Sequence, residues 1–230
     1  MSNEVALQII NAALKHGRTA LSEYEAKQVL AIYDIPVTRE ILVEDRRNLE
    51  RALDRIRYPL VMKGCSADIA HKTEKNLVRV DIRNSIEAGR AYEEIKAGLD
   101  GSNGAVLVQE MVIGRRELVL GMTRDPQFGA CVMFGLGGIF TEVLQDIVFR
   151  KAPLEKNDAY TMMREIKGRR ILEAVRGMAA ADTERLAHML IQLGKIALEN
   201  EAIAEIDINP VILSGSRPVA VDALIVLNHP

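Results

Sequence analysis

The sequence predicts an α+β protein made of two lobes of similar size. Helix and strand signals alternate up to residue 99, which indicates one α/β unit. A polar, glycine-bearing break with the sequence DGSNG follows at residues 100–104. Beyond the break, apolar runs of strand length follow one another closely and are joined by short turns, which favours antiparallel pairing. We therefore place residues 21–104 in a first lobe and residues 105–230 in a second.

An N-terminal helix precedes the first lobe. Residues 3–16 carry apolar side chains at helical spacing and Gly17 provides the stop, so residues 1–20 are assigned to this helix. A second helix begins at Ser22, because Ser22 and Glu25 have the spacing of a capping box. The elements that follow in the first lobe are the strand TREILV, a helix capped by Asp45, the strands LVMK and LVRVDI, and a helix over residues 85–99.

The second lobe is predicted to be mostly antiparallel sheet with two helices. Its strands are AVLVQEMV, RELVLGMTR, ACVMFGLG and IVFRKAPL, followed after the helices by IAEIDINPVIL and VAVDALIVL. The helices are expected near residues 155–167 and 182–199, and the turn SGSRP joins the two closing strands. A cleft between two such lobes is a favoured place for a ligand.

Composition and charge exclude several classes of function. Of the 230 residues, 48% are hydrophobic and 27% charged, which is the balance of an ordinary globular protein. The formal net charge is −2 with acids and bases interspersed, so charge gives no argument for a nucleic acid or a membrane surface as partner. No stretch approaches the roughly 20 apolar residues of a spanning helix, and the N-terminus lacks the basic segment of a signal peptide. We expect a cytoplasmic protein.

Two segments have the features of an anion site. Lys63 ends an apolar strand, where an ammonium can act as a point-charge ligand for phosphate; the alternative is an ordinary surface lysine. Residues 135–142, GLGGIFTE, contain three glycines whose main-chain amides can approach an anion or a neighbouring chain closely. The alternative for this segment is a tight turn between strands.

Three polar residues in the closing strands suggest a cation site. Asp207 and Asn209 alternate along EIDINPVIL and so point to one face, and Asp222 interrupts the apolar run VAVDALIVL. A carboxylate and an amide oxygen on adjacent strands are ligands that Mg²⁺ accepts, leaving its other positions to water and phosphate. A single acid in a strand can instead serve to discourage edge-to-edge aggregation.

Four features of this chain resemble, in their order, the motifs of the ATP-grasp fold. They are a lysine on a strand, QEMV followed by REL, D-x-N-P and an aspartate on a strand. The match is closer to one family. The strings EAKQVLAIYDIPV, PLVMK, AHKTE, GMTRDPQFGACVMFGLGGIFTEVLQDIVFRKAPL and IDINPVIL resemble the β subunit of the ADP-forming acetyl-CoA synthetases, relatives of succinyl-CoA synthetase. The resemblance covers nearly the whole chain. It implies an ATP-grasp fold with the nucleotide site in the cleft between the lobes.

The resemblance implies roles for residues at the nucleotide site. Lys63 matches the lysine that contacts the nucleotide phosphates, and Glu117 matches the acid that binds the ribose hydroxyls. The hinge segment that reads the adenine edge matches Gln109, Glu110, Met111 and Val112. Asn209 and Asp222 match the magnesium ligands, and Asp207 matches the acid that steers an incoming histidine. The implied cofactors are ATP or ADP and Mg²⁺.

The resemblance also implies a histidine relay and a partner. His71, in AHKTE, matches a histidine that the family is proposed to phosphorylate on the β subunit. The activity implied is reversible phosphate transfer between ADP/ATP and histidine, as acyl-CoA, ADP and phosphate become acid, CoA and ATP. A CoA-binding α subunit is implied as partner, in an α2β2 assembly, with activity only in its presence. The chain departs from the family at Lys75-Asn76-Leu77, where small residues are usual, which predicts a stiffer or more charged loop.

Two other functions fit the same residues. A generic ATP-grasp ligase would make an acyl phosphate on a carboxylate for attack by an amine, but this requires a substrate pocket within the chain, and the sequence shows no extra basic cluster to form one. A nucleotide-sensing regulatory module would bind nucleotide without catalysis. The intact Lys63, Asn209 and Asp222 argue against an inactive site of that kind.

Overall fold

A computed structural model describes residues 2–66, 77–99, 104–138 and 145–228. The α-helices are α1 (Ser2–Lys15), α2 (Glu23–Ile32), α3 (Arg46–Leu53), α4 (Ser85–Gly98), α5 (Lys156–Glu165) and α6 (Thr183–Glu199), with a short 3-10 helix at Arg169–Leu172. The strands are β1 (Glu40–Val43), β2 (Leu60–Cys65), β3 (Val78–Ile82), β4 (Ala105–Glu110), β5 (Glu117–Asp125), β6 (Gly129–Leu136), β7 (Ile147–Lys151), β8 (Ile203–Ser214), β9 (Arg217–Ala220) and β10 (Leu224–Leu227). This confirms the predicted α+β class.

The smaller of two compact units consists of Ser22–Tyr24 and Thr38–Met111. Its four-stranded antiparallel sheet has the order β1-β4-β2-β3, and α3 and α4 cover one face. Asp45 caps α3 as predicted, since its carboxylate accepts from the main-chain N–H groups of Arg47 and Asn48. The predicted lobe boundary after residue 104 differs from this division, because β4 hydrogen-bonds between β1 and β2 and so belongs with the smaller unit.

The larger unit contains the rest of the chain and is built on a six-stranded sheet. The strand order is β10-β8-β5-β6-β7, with β9 also paired to β8, and all pairs are antiparallel. Helices α1, α2, α5 and α6 contribute to one continuous core with alternate residues of these strands. Within the part of the chain that the structure describes, no helix is both long and apolar enough to cross a bilayer.

The last predicted strand, VAVDALIVL, is in fact two strands separated by residues 221–223. Both β9 and β10 pair with β8, so one long strand is faced by two short ones. The interruption falls opposite Pro210, which has no N–H to donate to a ladder. The main-chain N–H of Val221 still donates to the Pro210 carbonyl at 3.0 Å, but Asp222 turns its carboxylate back to accept from the Ala223 N–H at 2.9 Å.

Two buried or half-buried arginines fix the irregular segments of the larger unit. The Arg116 guanidinium donates to four main-chain carbonyls, those of Ile171, Glu173, Ala179 and Gly215, at 2.7 to 3.2 Å. Arg124 donates to the carbonyls of Ala197, Asn200 and Ile203, which lie between the last turn of α6 and the start of β8. Arginine is suited to binding several main-chain carbonyls at once because its planar guanidinium presents five N–H donors in a fixed geometry.

Substituting Arg116 by Met is therefore expected to destabilise the larger unit by about 3 kcal/mol, because four main-chain carbonyls lose the same buried donor group at once. The measurement is the midpoint of urea unfolding. The neighbouring Arg115 is exposed, so Arg115→Met is the matched control and should move the midpoint little. Equal shifts for the two variants would contradict this assignment.

Candidate functional site

Lys63 lies on β2, a strand whose six residues are all buried. Leu60 and Met62 belong to the core beneath α3 and α4, so the alternation along the strand directs Lys63 to the other face of the sheet. Its Nζ donates to Oε1 of Glu23 at 2.7 Å, and the two side chains are 6% and 0% exposed respectively. Lys63 is thus a buried, ion-paired cation and not the surface lysine that the sequence left as an alternative.

The predicted hinge segment begins on the same sheet face. Gln109 is fully buried and pairs in register with Val61, while Leu107 pairs with Lys63, so Lys63 and Gln109 are diagonal neighbours. Glu110 points the other way, and its carboxylate accepts from the main-chain N–H and the Nε of Arg39 at 2.9 and 3.2 Å.

The end of the hinge segment is half-buried main chain outside any strand. Met111 donates its N–H to the Pro59 carbonyl at 3.4 Å. The chain passes from the smaller to the larger unit between Met111 and Val112. Main-chain polar groups of such a segment are suited to reading a planar ligand edge.

Asp207, Asn209 and Asp222 come together in the larger unit. Ile206 and Ile208 point into the core, which leaves Asp207 and Asn209 on the opposite face of the sheet. Leu224 pairs with Asp207, and Ala220 pairs with Val211, so Asp222 falls across from Asn209. The pairing of β8 with β5 is irregular at this point, which marks a bulge, and bulges re-aim side chains beside functional sites.

The pKa of Asp207 is shifted by its surroundings. Burial and, to a smaller extent, the nearby negative charges of Glu205 and Asp222 together raise the pKa of Asp207 to about 6. Gly121 lies directly across from Asp207 on β5 and contributes no side chain. A pocket of about 240 Å³ is found here, lined on β5, β6, β7 and β8 by residues that include Thr123, Phe149 and Asp207.

Glu117 begins β5 beside the glycine-rich loop. The Glu117 carboxylate lies against Gly138, which has φ +64°, and the Glu117 carbonyl accepts from the Gly137 N–H at 2.9 Å. A Cβ on Gly137 would lie 2.7 Å from the Leu118 main chain. Close backbone packing accounts for these two glycines, and residues 139–144 of the loop lie outside the described part of the chain.

Comparison with known proteins identifies the family. Residues 12–227 match the model of the ATP-grasp domain. The β subunit of acetate–CoA ligase [ADP-forming] II from Pyrococcus furiosus is 41% identical to the chain, over 96% of the chain and 98% of the relative. The chain belongs to the ATP-grasp family, among the β subunits of ADP-forming acetate–CoA ligases. The family resemblance read from the motifs is therefore confirmed.

Two solved structures extend this likeness to three dimensions. Both are of the dinucleotide-forming acetyl-coenzyme A synthetase 1 of Ca. Korarchaeum cryptofilum, each 39% identical to the chain. The complex with coenzyme A, Ca-AMPCP and HgCl⁺ has a TM-score of 0.91 and covers 99% of this chain and 100% of its own. The complex with coenzyme A and Mg-AMPPCP, whose phosphohistidine segment points towards the nucleotide binding site, has a TM-score of 0.86 and covers 97% and 100%.

The donor set of the larger unit fits Mg²⁺. Among the described residues, no three side chains of the types His, Cys, Asp and Glu are arranged to hold a metal. Asn209 and Asp222 offer one amide and one carboxylate oxygen, and a cation held by only two protein ligands suits Mg²⁺, which keeps water and phosphate oxygens in its shell. The repulsion that raises the pKa of Asp207 is also what a bound cation would relieve.

Of the predicted site residues, His71 lies outside the described part of the chain, as do Lys75 and Asn76. Sequence reasoning missed Glu23, the partner of Lys63. The signal was present, because Glu23 shares a helical face with Ala26 and Leu30, which are both fully buried.

Asp207→Asn is expected to stabilise the free protein at pH 8 by on the order of 2 kcal/mol. The folded pKa of about 6 lies above the ordinary 3.8, so the wild type loses stability as the pH rises from about 4 to 6. The uncharged Asn side chain does not titrate. The free energy of unfolding should be measured with EDTA and without nucleotide.

At pH 4 the difference between wild type and Asp207→Asn should shrink below about 1 kcal/mol, since the folded wild type then carries a protonated Asp207. Glu201→Gln, at an exposed position of the same unit, is the control and should change stability little at either pH. A variant that is no more stable than the wild type at pH 8 would show that burial does not penalise this carboxylate.

Proposed function

We propose that the chain is the nucleotide-binding β subunit of an ADP-forming acyl-CoA synthetase. In this function it transfers phosphate reversibly between ADP/ATP and a histidine, as acyl-CoA, ADP and phosphate are interconverted with acid, CoA and ATP. The observation that carries most weight is the likeness over nearly the whole chain to a synthetase solved with Mg-AMPPCP. The buried Lys63 and the Asp207–Asn209–Asp222 group are the chain's own support for it.

Phosphoryl transfer asks little of a protein beyond positioning and neutralisation of charge. The Lys63 ammonium would contact the phosphates, and the main chain of residues 109–112 would read the adenine edge. Glu117 would accept hydrogen bonds from the ribose hydroxyls. Its position beside Gly138 leaves the carboxylate with a fixed backbone neighbour at the start of β5.

Asn209 and Asp222 would hold Mg²⁺, which when bound neutralises charge on the phosphates. Asp207 would act on the histidine that enters. A carboxylate that accepts a hydrogen bond from one imidazole nitrogen fixes the tautomer and leaves the other nitrogen with its lone pair free for attack. Its half-buried position across from Gly121 leaves room for a ring.

Histidine is a suitable carrier of the phosphoryl group. Its unperturbed pKa of about 6.5 keeps the neutral, nucleophilic form abundant near pH 7. In the direction that consumes ATP, the imidazole nitrogen forms a bond to the γ-phosphorus while the bond from that phosphorus to the bridging oxygen breaks, and ADP leaves. We assign this role on the β subunit to His71, which remains a prediction.

A CoA-binding α subunit is the expected partner, since the relatives in Pyrococcus furiosus are named as β subunits. We propose an α2β2 assembly in the cytoplasm and no turnover of acyl-CoA by the isolated chain. The acid pocket would lie on the partner.

The decisive experiment is phosphate labelling. With γ-labelled ATP and Mg²⁺, the chain mixed with its α subunit should acquire acid-labile phosphate that is lost in His71→Asn. His16 is exposed and near the N-terminus, so His16→Asn is the matched control and should label normally. Nucleotide binding with no labelling and no turnover in the presence of the α subunit would favour a nucleotide-sensing module instead.

The Mg²⁺ assignment predicts that Asp222→Asn raises the Mg²⁺ concentration for half-maximal activity about tenfold, the effect of weakening a metal site. Glu205→Gln removes a negative charge from the same sheet face but keeps Asn209 and Asp222, so it separates ligation from general electrostatics. It should shift the Mg²⁺ dependence much less. Equal shifts would indicate that Asp222 acts only through its charge.

A further inference from the structure

The ion pair between Lys63 and Glu23 is unusual in being almost completely buried. Glu23 is the first residue of α2 and its side chain is 0% exposed, while Lys63 is in the middle of the smaller unit's sheet at 6%. Both residues belong to the smaller unit. The Nζ–Oε1 distance of 2.7 Å is that of a strong charge-assisted hydrogen bond.

Stability alone is a weak reason for such a pair. Two charges removed from water lose hydration that their attraction repays only in part, and apolar residues of similar volume are often as stable. The three residues that precede Lys63 on β2 are apolar and buried: Leu60, Val61 and Met62. A lysine in this strand is therefore better explained by its charge than by packing.

The pair also determines where that charge lies. A lysine side chain has about 2 kcal/mol of rotamer entropy to lose when it is fixed. Without a nearby anion, the side chain could adopt a rotamer that leads out of the site. The Glu23 carboxylate opposes this, since it accepts from the ammonium at one defined position.

We propose that Glu23 is a positioning residue for Lys63: it holds the ammonium in place for the nucleotide phosphates before the nucleotide arrives. This inference rests on the proposed function of Lys63. It assigns to α2 a direct part in preparing the site, through a residue that would not itself contact the nucleotide.

A double-mutant cycle on the full chain tests it. The variants are Glu23→Gln, Lys63→Gln and the two combined, and the measured quantity is the dissociation constant for Mg-ADP. Glu23→Gln is expected to weaken binding about tenfold, because only a fraction of the protein then holds Lys63 in the correct position. In the Lys63→Gln background, adding Glu23→Gln should have almost no further effect.

The complex with the α subunit provides a readout that a merely structural role would not move. Glu23→Gln should raise KM for the nucleotide about tenfold and leave KM for CoA and for the acid unchanged. Glu25→Gln is the matched control, because Glu25 is in the first turn of the same helix and pairs with Arg18 at 2.8 Å. It should leave all three values near those of the wild type.

A second variant guards against loss of folding. Glu23→Asp keeps the negative charge but draws it back by one methylene, so it should fold and bind Mg-ADP with an affinity between those of wild type and Glu23→Gln. Unchanged or tighter binding in the Glu23→Gln and Glu23→Asp variants would overturn the inference, as would effects that multiply in the double variant. If Lys63→Gln itself leaves binding unchanged, the proposed role of Lys63 fails, and this inference with it.

Discussion

The pairing of β8 is the constraint on which the larger unit depends. This strand is hydrogen-bonded to β5 along one edge and to both β9 and β10 along the other. The register of β8 is fixed by its two faces. A slip by one residue would bury Asp207 in the core and expose Ile206. The break between β9 and β10 brings Asp222 across from Asn209 without disturbing the apolar side of the sheet. One strand thus fixes both the core and the polar group.

Most of the fold could be predicted from the sequence because its signals are local. Helical spacing, the Asp45 cap and strand-length apolar runs each specify an element without knowledge of the rest, and the structure confirms them to within a few residues. The split of the last strand was missed, because its cause is Pro210 on a different strand. The position of β4 was missed for a similar reason, since only its pairing with β1 and β2 assigns it to the smaller unit.

The candidate site was also predictable only where its signals are local. Alternation along β8 was enough to place Asp207 and Asn209 on one face, and the register then brings Asp222 to them. The partner of Lys63 lies 40 residues earlier in the chain, and no periodicity connects the two. The roles of these residues came from family motifs, because spacing specifies which side chains are neighbours but not which ligand they bind.

The two polar groups of the candidate site, one around Lys63 and one around Asp207, differ in how their charge is compensated. Lys63 is neutralised by Glu23 within the protein. Asp207 instead is partly buried near two further acids, and burial together with their negative charge raises its pKa. A lysine whose position is already fixed by a carboxylate can contact a phosphate without a prior rearrangement of its side chain. An acidic centre that carries excess negative charge gains most from a cation, so relief of repulsion would contribute to the Mg²⁺ binding that we propose for it.

The proposed relay through His71 is limited in its reach by Leu77, the first described residue that follows it. The Gly64 N–H donates to the Leu77 carbonyl at 2.8 Å, and a Cβ on Gly98 would lie 2.6 Å from the Leu77 side chain, so Leu77 is held against both β2 and α4. His71 is six residues before Leu77, so its Cα can lie at most about 22 Å from that anchor. The anchor is next to Lys63, because Val78 pairs in register with Lys63. In the proposed function, delivery to a more distant acid site would need a second carrier, which we place on the partner subunit.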